Sequence, residues 1–234
     1  MKNFRLKFVV LAFAGAVMAS AMSSCSVGND GYAYDTITPK AIVTVKTLES
    51  GETYFQVDEK TTLLPVDWKN PYKGETRALL NYDELSEPNN GPFTKSVRVN
   101  WIDSVLTKKA VLYTDDFKKG ADDAITLVGD WLTVCEDGYL TLHFAAWWGT
   151  ENRKPHILNL GIDPESRGLY LRHDVNGDNN GHCVPAEGIV AFKIDELLPD
   201  VKDGDELTLH WTEINNEKKK YTLKYSGRFE LSGK

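Results

Sequence analysis

The sequence predicts an all-β protein of two domains, a small barrel followed by a β-sandwich. Three observations carry that reading. Beyond an apolar leader, no long stretch shows the 3.6-residue hydrophobic period of an amphipathic helix. Short β-branched and aromatic runs recur instead, broken by Gly, Asn, Asp and Pro. Those runs fall into two groups on either side of the charged segment Thr114–Ala121 (TDDFKKGA). The predicted divisions are 1–24 (leader), 25–39 (tether), 40–114 (barrel) and 115–234 (sandwich).

The leader comes first. Lys2, Arg5 and Lys7 precede the apolar stretch Phe8–Met22, which is short for a bilayer span of about 20 apolar residues. Ser23 and Ser24 then precede Cys25. Small side chains before a cysteine suit a lipoprotein signal peptidase, so Cys25 is the expected lipidation site and the membrane the expected first partner. Met22 stands where leucine is usual, and an ordinary secretory cut near Ala19–Ala21 is the alternative. Removing residues 1–24 takes away three basic residues and no acidic ones, moving the formal charge from -7 to -10. Ser26–Pro39 is polar and suits a tether.

In the first group, Ala41–Thr47 alternates, with Ile42, Thr44 and Lys46 opposite Ala41, Val43 and Val45. Thr53–Val57, Thr61–Trp68 and Arg77–Tyr82 follow. Ser96–Thr107 reads as one long strand or two joined by a bend. In the second group seven runs lie between Ile125 and Tyr225, with turn signals such as Glu136-Asp137-Gly138 and Asn215-Asn216 between them. No fixed-period repeat is visible.

The chemistry-bearing residues are few. Asp174, Asn176 and Asp178 stand at the alternate positions that an EF-hand-type loop uses for Ca²⁺. Its sixth position is Asn179 rather than Gly and its twelfth is Pro185 rather than Glu, and a polar hairpin loop is the competing reading. His173, His182 and Cys183 could approach across that loop as zinc ligands, although spacing alone is weak support. Cys135 and Cys183 could form a disulfide or pack as two thiols. No Gly-x-Ser-x-Gly, Ser-x-x-Lys, Walker loop or Rossmann fingerprint occurs, so neither a catalytic set nor a cofactor is expected. The acidic balance argues against nucleic acid as a partner. Trp147 and Trp148 are the best hint of binding. Neighbours on a strand face opposite sides, so one must leave the core for a domain junction, a partner or a sugar.

The leader, VRVNWIDSVLTK at Val97–Lys108, and GLYLRHDVNGD at Gly168–Asp178 followed by GIVAFKI at Gly188–Ile194 resemble the NigD-like lipoproteins of Bacteroides-type bacteria. The resemblance implies an N-terminal OB-type barrel and a C-terminal β-sandwich, and no catalytic residues. The family name comes from a gene beside a bacteriocin determinant, which implies an immunity role. The expectation is therefore a non-enzymatic, lipid-anchored cell-envelope protein, at the outer membrane, that binds another macromolecule. A protein partner is the first form and a glycan the alternative.

Overall fold

The computed structural model describes residues 38–86, 91–151, 154–179 and 181–228. The leader, Cys25 and the tether up to residue 37 lie outside the described residues. Five strands close the first domain: β1 (Ala41–Thr47), β2 (Thr53–Gln56), β3 (Thr62–Pro65), β4 (Thr76–Glu84) and β5 (Lys95–Ser104). Their order around the barrel is β1-β2-β3-β5-β4, with β4 returning to β1. Only β3 and β5 run parallel. Val43, Val45, Phe55, Leu63, Leu80 and Val97 fill the interior, and the Trp68 ring closes one side edge-on to Phe55. The outward-facing Ile42 and Thr44 are buried too, and Thr44 meets Arg77 at the junction with the second domain.

The chain leaves the barrel earlier than the charged segment suggested. Val105 is buried between Tyr139 and Ala191, and from there the chain joins the second sheet. There β6 (Leu106–Lys109) runs parallel to β13 (Cys183–Lys193), and β7 (Val111–Leu112) runs parallel to β11 (Ile157–Asp163). The domain boundary thus falls at Val105, a correction to the division at residue 114. The run Ser96–Thr107 is two strands belonging to two domains, which alternation along the chain cannot reveal. Thr114 instead caps α1 (Asp115–Lys118), its hydroxyl accepting from the Phe117 N–H.

The sandwich adds β8 (Thr126–Leu127), β9 (Val134–Glu136), β10 (Tyr139–Gly149), β12 (Gly168–Asp174), β14 (Glu206–Thr212) and β15 (Lys218–Ser226). Pairing follows β6-β13-β10-β9-β15-β14-β12-β11-β7, with β8 beside β10. The two layers are the β13/β10 side and the β14/β12/β11 side, joined through β9 and β15. Between them lie Leu140, Leu142, Phe144, Leu160, Leu169, Leu171, Phe192 and Leu209. Asp137 and Gly138, both at positive φ, make the two-residue turn between β9 and β10 that the sequence pattern calls for.

Arg77 of β4 joins the domains and is 1% exposed. Its Nη2 donates to Glu136 of β9, its Nε to Thr141 of β10 at 3.2 Å, and its Nη1 to Thr44 of β1 at 3.1 Å. Lys46 pairs with Asp137 at 2.6 Å beside it, and the Tyr139 hydroxyl donates to Glu75. Burial pushes the Glu136 carboxyl up, and Arg77 opposes that shift. Removing one partner of a buried pair leaves the other uncompensated, so Arg77→Ala is expected to cost about 3–5 kcal/mol in guanidinium unfolding. Arg77→Met combined with Glu136→Leu should recover most of that loss. A single variant as stable as the parent would contradict this account.

Candidate functional site

At one end of the sandwich the structure gathers Trp148, His156, His173 and Asp178. Trp148 faces the interior and stacks on His156, with centroids 3.8 Å apart and planes at 17°. His156 Nδ1 lies 2.9 Å from His173 Nε2, and His173 Nδ1 lies 3.0 Å from the Ala124 carbonyl. A carbonyl only accepts, so His173 carries its proton on Nδ1. Its Nε2 then accepts from His156 Nδ1 while both rings are neutral. This leaves His156 Nε2 as a bare acceptor 3.4 Å from Asp178 Oδ2. Asp178 is held by the backbone N–H groups of Lys154 and Gly149, both at 2.9 Å, which keep its carboxyl low. Spacing did not find this chain of groups. The signal was in the hairpin register: Ile157 pairs with Asp174, which sets His156 beside His173.

These contacts redefine the other candidates. Asp178 turns inward to clamp two loops, Asp174 accepts from the Asn176 N–H, and the Asn176 amide donates to the Pro155 carbonyl. The three side chains therefore do not converge on a cation, and the segment is a polar turn with Asn176 and Gly177 at positive φ. His173 bonds His156 rather than meeting His182 and Cys183. Among the described residues no group of three His, Cys, Asp or Glu is placed to hold a metal. Cys135 and Cys183 are free thiols. Cys135 pairs with Leu140 at one end of β10 and Cys183 with Gly149 at the other. Nine residues of strand separate them by about 30 Å, far beyond the reach of a disulfide.

Trp147 takes the opposite direction, as alternation requires, and is 50% exposed on the outer face of β10. Its cross-strand neighbour is Pro185 of β13. Further along this face His143 is pinned between Asp130 (2.8 Å) and Glu187 (3.1 Å). The Asp130 contact anchors the turn that carries Trp131, itself 51% exposed. β13 pairs with β6 only over Val190–Lys193, so among the described residues Cys183–Ile189 is a sheet edge without a partner strand beside Trp147.

On the other layer a shallow groove of about 190 Å³ runs over β12 and β14. Tyr113 and Tyr170 stack there with centroids 3.6 Å apart and planes at 3°, and Tyr170 stacks on His210 at 4.7 Å and 9°.

Five strands closed in the order β1-β2-β3-β5-β4, followed by a sandwich with exposed aromatic surfaces, define a two-domain protein of OB barrel and β-sandwich. The chain belongs to the NigD-like family. The model of the NigD-like N-terminal OB domain matches residues 42–105, and that of the NigD-like C-terminal β-sandwich domain matches residues 108–225. Both expectations of the resemblance, family and fold, hold. Among solved structures the chain is similar to a candidate toxin-related protein of Parabacteroides distasonis, with 25% identity, TM-score 0.61, and 82% of this chain and 94% of that one covered. A protein of unknown function from Bacteroides vulgatus is similar at 25% identity and TM-score 0.62, covering 80% and 90%. A candidate lipoprotein of Bacteroides fragilis shares the fold at 14% identity and TM-score 0.55, covering 79% and 96%. No curated protein matches the chain.

Burial lowers the affinity of His156 and His173 for protons; Asp178 opposes this at the first and the Ala124 carbonyl at the second. At about a pH unit above the ordinary histidine value of about 6.5, both rings are neutral whether the chain is folded or not. Below it the unfolded chain takes up protons that the folded one refuses, so stability falls as pH drops toward the folded values. Thermal melts between pH 8 and 5 should show a falling melting temperature below about 6.5, with a shallower slope in the His156→Gln, His173→Gln double variant. Equal slopes would place the acid sensitivity elsewhere.

Proposed function

We propose that this chain is a non-enzymatic, lipid-anchored cell-envelope protein that binds another protein through the outer face of β10 and β13. Immunity against an antibacterial protein is the specific form. The observation that carries the reading is Trp147, half exposed beside an unpaired sheet edge. A large rigid aromatic next to free main-chain groups offers a partner both an anchor and strand pairing. His143, clamped by two carboxylates, stiffens the face so that less ordering is needed on binding. The family supports the immunity form, as does the toxin-related relative at 25% identity. The expected lipidation of Cys25 supports the anchor and a cell-envelope location, with the outer membrane the expected site. A glycan-binding role is the second reading, and the aromatic groove on β12 and β14 is the observation that favours it.

The test is quantitative crosslinking of the full chain in its native outer-membrane fraction. A protein partner should be enriched with the parent, reduced at least tenfold by Trp147→Glu, and retained by Lys220→Ala on the opposite layer. Cys25→Ala should lose it by releasing the protein from the membrane. Enrichment that ignores Trp147→Glu, or none at all, overturns the proposed face.

A further inference from the structure

We propose that the groove over β12 and β14 binds an acidic saccharide, a sugar chain bearing carboxylate or sulfate groups. This inference rests on the glycan-binding reading and adds the charge class of the ligand.

The groove is built by sequence features on both sheet and loop. Tyr170 and His210 are cross-strand partners on the outer face, and Tyr113 reaches over them from the segment after β7. Gly161 on β11 is the other partner of Tyr170. A Cβ there would come within 2.6 Å of the Phe117 ring, which lies edge-on to Tyr113. Phe117 is thus seated on a bare glycine and braces the column. The rings turn their flat faces on one another. What they offer a ligand is positively polarised edges and hydrogen-bond donors.

The charged rim matches those edges. Arg172, Lys218 and Lys219 line the groove, and Asp122 is the one carboxylate lining it among the described residues. Asp122 is already engaged by Arg172, Lys218 and the Thr212 hydroxyl. Burial works to raise its carboxyl, and those partners overcome it and hold it low. Lys219 pairs with Glu217, whereas Lys220, the cross-strand neighbour of His210, is exposed and has no ion pair among the described residues. Burial and Lys220 together hold the His210 ring toward its neutral form. A chain of net charge -7 therefore carries a donor-rich surface with an excess of cations at this groove, a field that draws anions.

Other anionic partners fit less well. β12 and β14 each have a partner strand on both sides, so an acidic peptide lying over the aromatic column finds no sheet edge there to extend. Ring faces 3.6 and 4.7 Å apart leave no slot for a nucleic-acid base to slide between them. An acidic sugar needs neither. Its hydroxyl and ring oxygens accept from the column and the lysines, and its anionic group meets Arg172 or Lys220.

The full chain in detergent micelles would be titrated calorimetrically with polygalacturonate and chondroitin sulfate oligosaccharides. Controls are the methyl ester of the galacturonate, polyglutamate and single-stranded DNA. At least one acidic saccharide should bind, tenfold or more tighter than the methyl ester and both other polyanions, and several-fold weaker when salt rises from about 50 to 300 mM, as screening requires. His210→Ala should weaken binding about tenfold; Lys220→Glu, an exposed change that spares the fold, should weaken it at least fivefold; Trp147→Glu should leave it unchanged. Equal binding of ester and acid overturns the inference while preserving the glycan reading. Polyglutamate or DNA binding as tightly reduces the groove to a charge effect. No binding of either acidic saccharide at millimolar concentration overturns inference and glycan reading together.

Discussion

A guanidinium with almost no exposed surface, held jointly by two domains, is the constraint on which the rest of the architecture depends. Stripping a charge of water costs several kcal/mol unless its donors are met. Arg77 has its donors met only when the barrel supplies Thr44 and the sandwich supplies Glu136 and Thr141. Neither domain can satisfy it alone. Around it Lys46–Asp137 and Tyr139–Glu75 repeat the arrangement, each pair taking one member from each domain. The junction is thus polar and specific in geometry, with the small apolar contact of Val105, Tyr139 and Ala191 beside it. The covered end of β10 is fixed against the barrel, and the far end, with Trp147 and Trp148, projects beyond it.

That division explains how one strand serves three environments. Tyr139 and Thr141 of β10 meet the barrel, Leu140, Leu142, Phe144 and Ala146 fill the sandwich, and Trp147 emerges past the covered zone. Trp148, one position on, returns to the interior and seals the His156–His173–Asp178 chain. Of the two adjacent tryptophans, one is thereby structural and the other free to meet a partner. These buried groups do architectural work: His156 bonds His173 across the β11–β12 hairpin, and Asp178 ties the end of β10 to the loop before β11 and to the turn after β12.

The strands were legible because alternation of apolar and polar side chains is local information. The β9–β10 turn was legible for the same reason, since Asp137-Gly138 announces its own backbone geometry. The domain boundary was not, because β6 pairs in parallel with β13, about eighty residues away in the chain, and nothing in LTKK marks that choice. Arg77 reads as a surface residue until its three partners are seen. The opposed directions of Trp147 and Trp148 followed from strand geometry alone, whereas which one faced inward needed the register of β10. The metal and disulfide candidates failed because sequence proximity and cysteine number carry no distances. His156 was passed over because its partner is a hairpin away.

Two unpaired stretches of the sandwich, on β15 and β13, distinguish its surfaces further. On β15, residues Lys218–Lys224 have no partner strand among the described residues on the side away from β14, and this stretch carries Lys218, Lys219, Lys220 and Lys224. Lysines on an edge repel a second strand and keep it solvated, so that edge is closed to pairing with another protein while its charge remains available to an anion. Along Cys183–Ile189 of β13 the edge instead shows Val184, Pro185 and Ala186 to solvent, with Trp147 beside them. Pro185 withholds one donor, which discourages indiscriminate pairing. The remaining main-chain groups and the indole still give a specific partner its footing. An edge left open next to an exposed tryptophan, in a molecule that guards the β15 edge with lysine, is the arrangement expected when one side of a sandwich is kept for a protein and the other for a charged ligand.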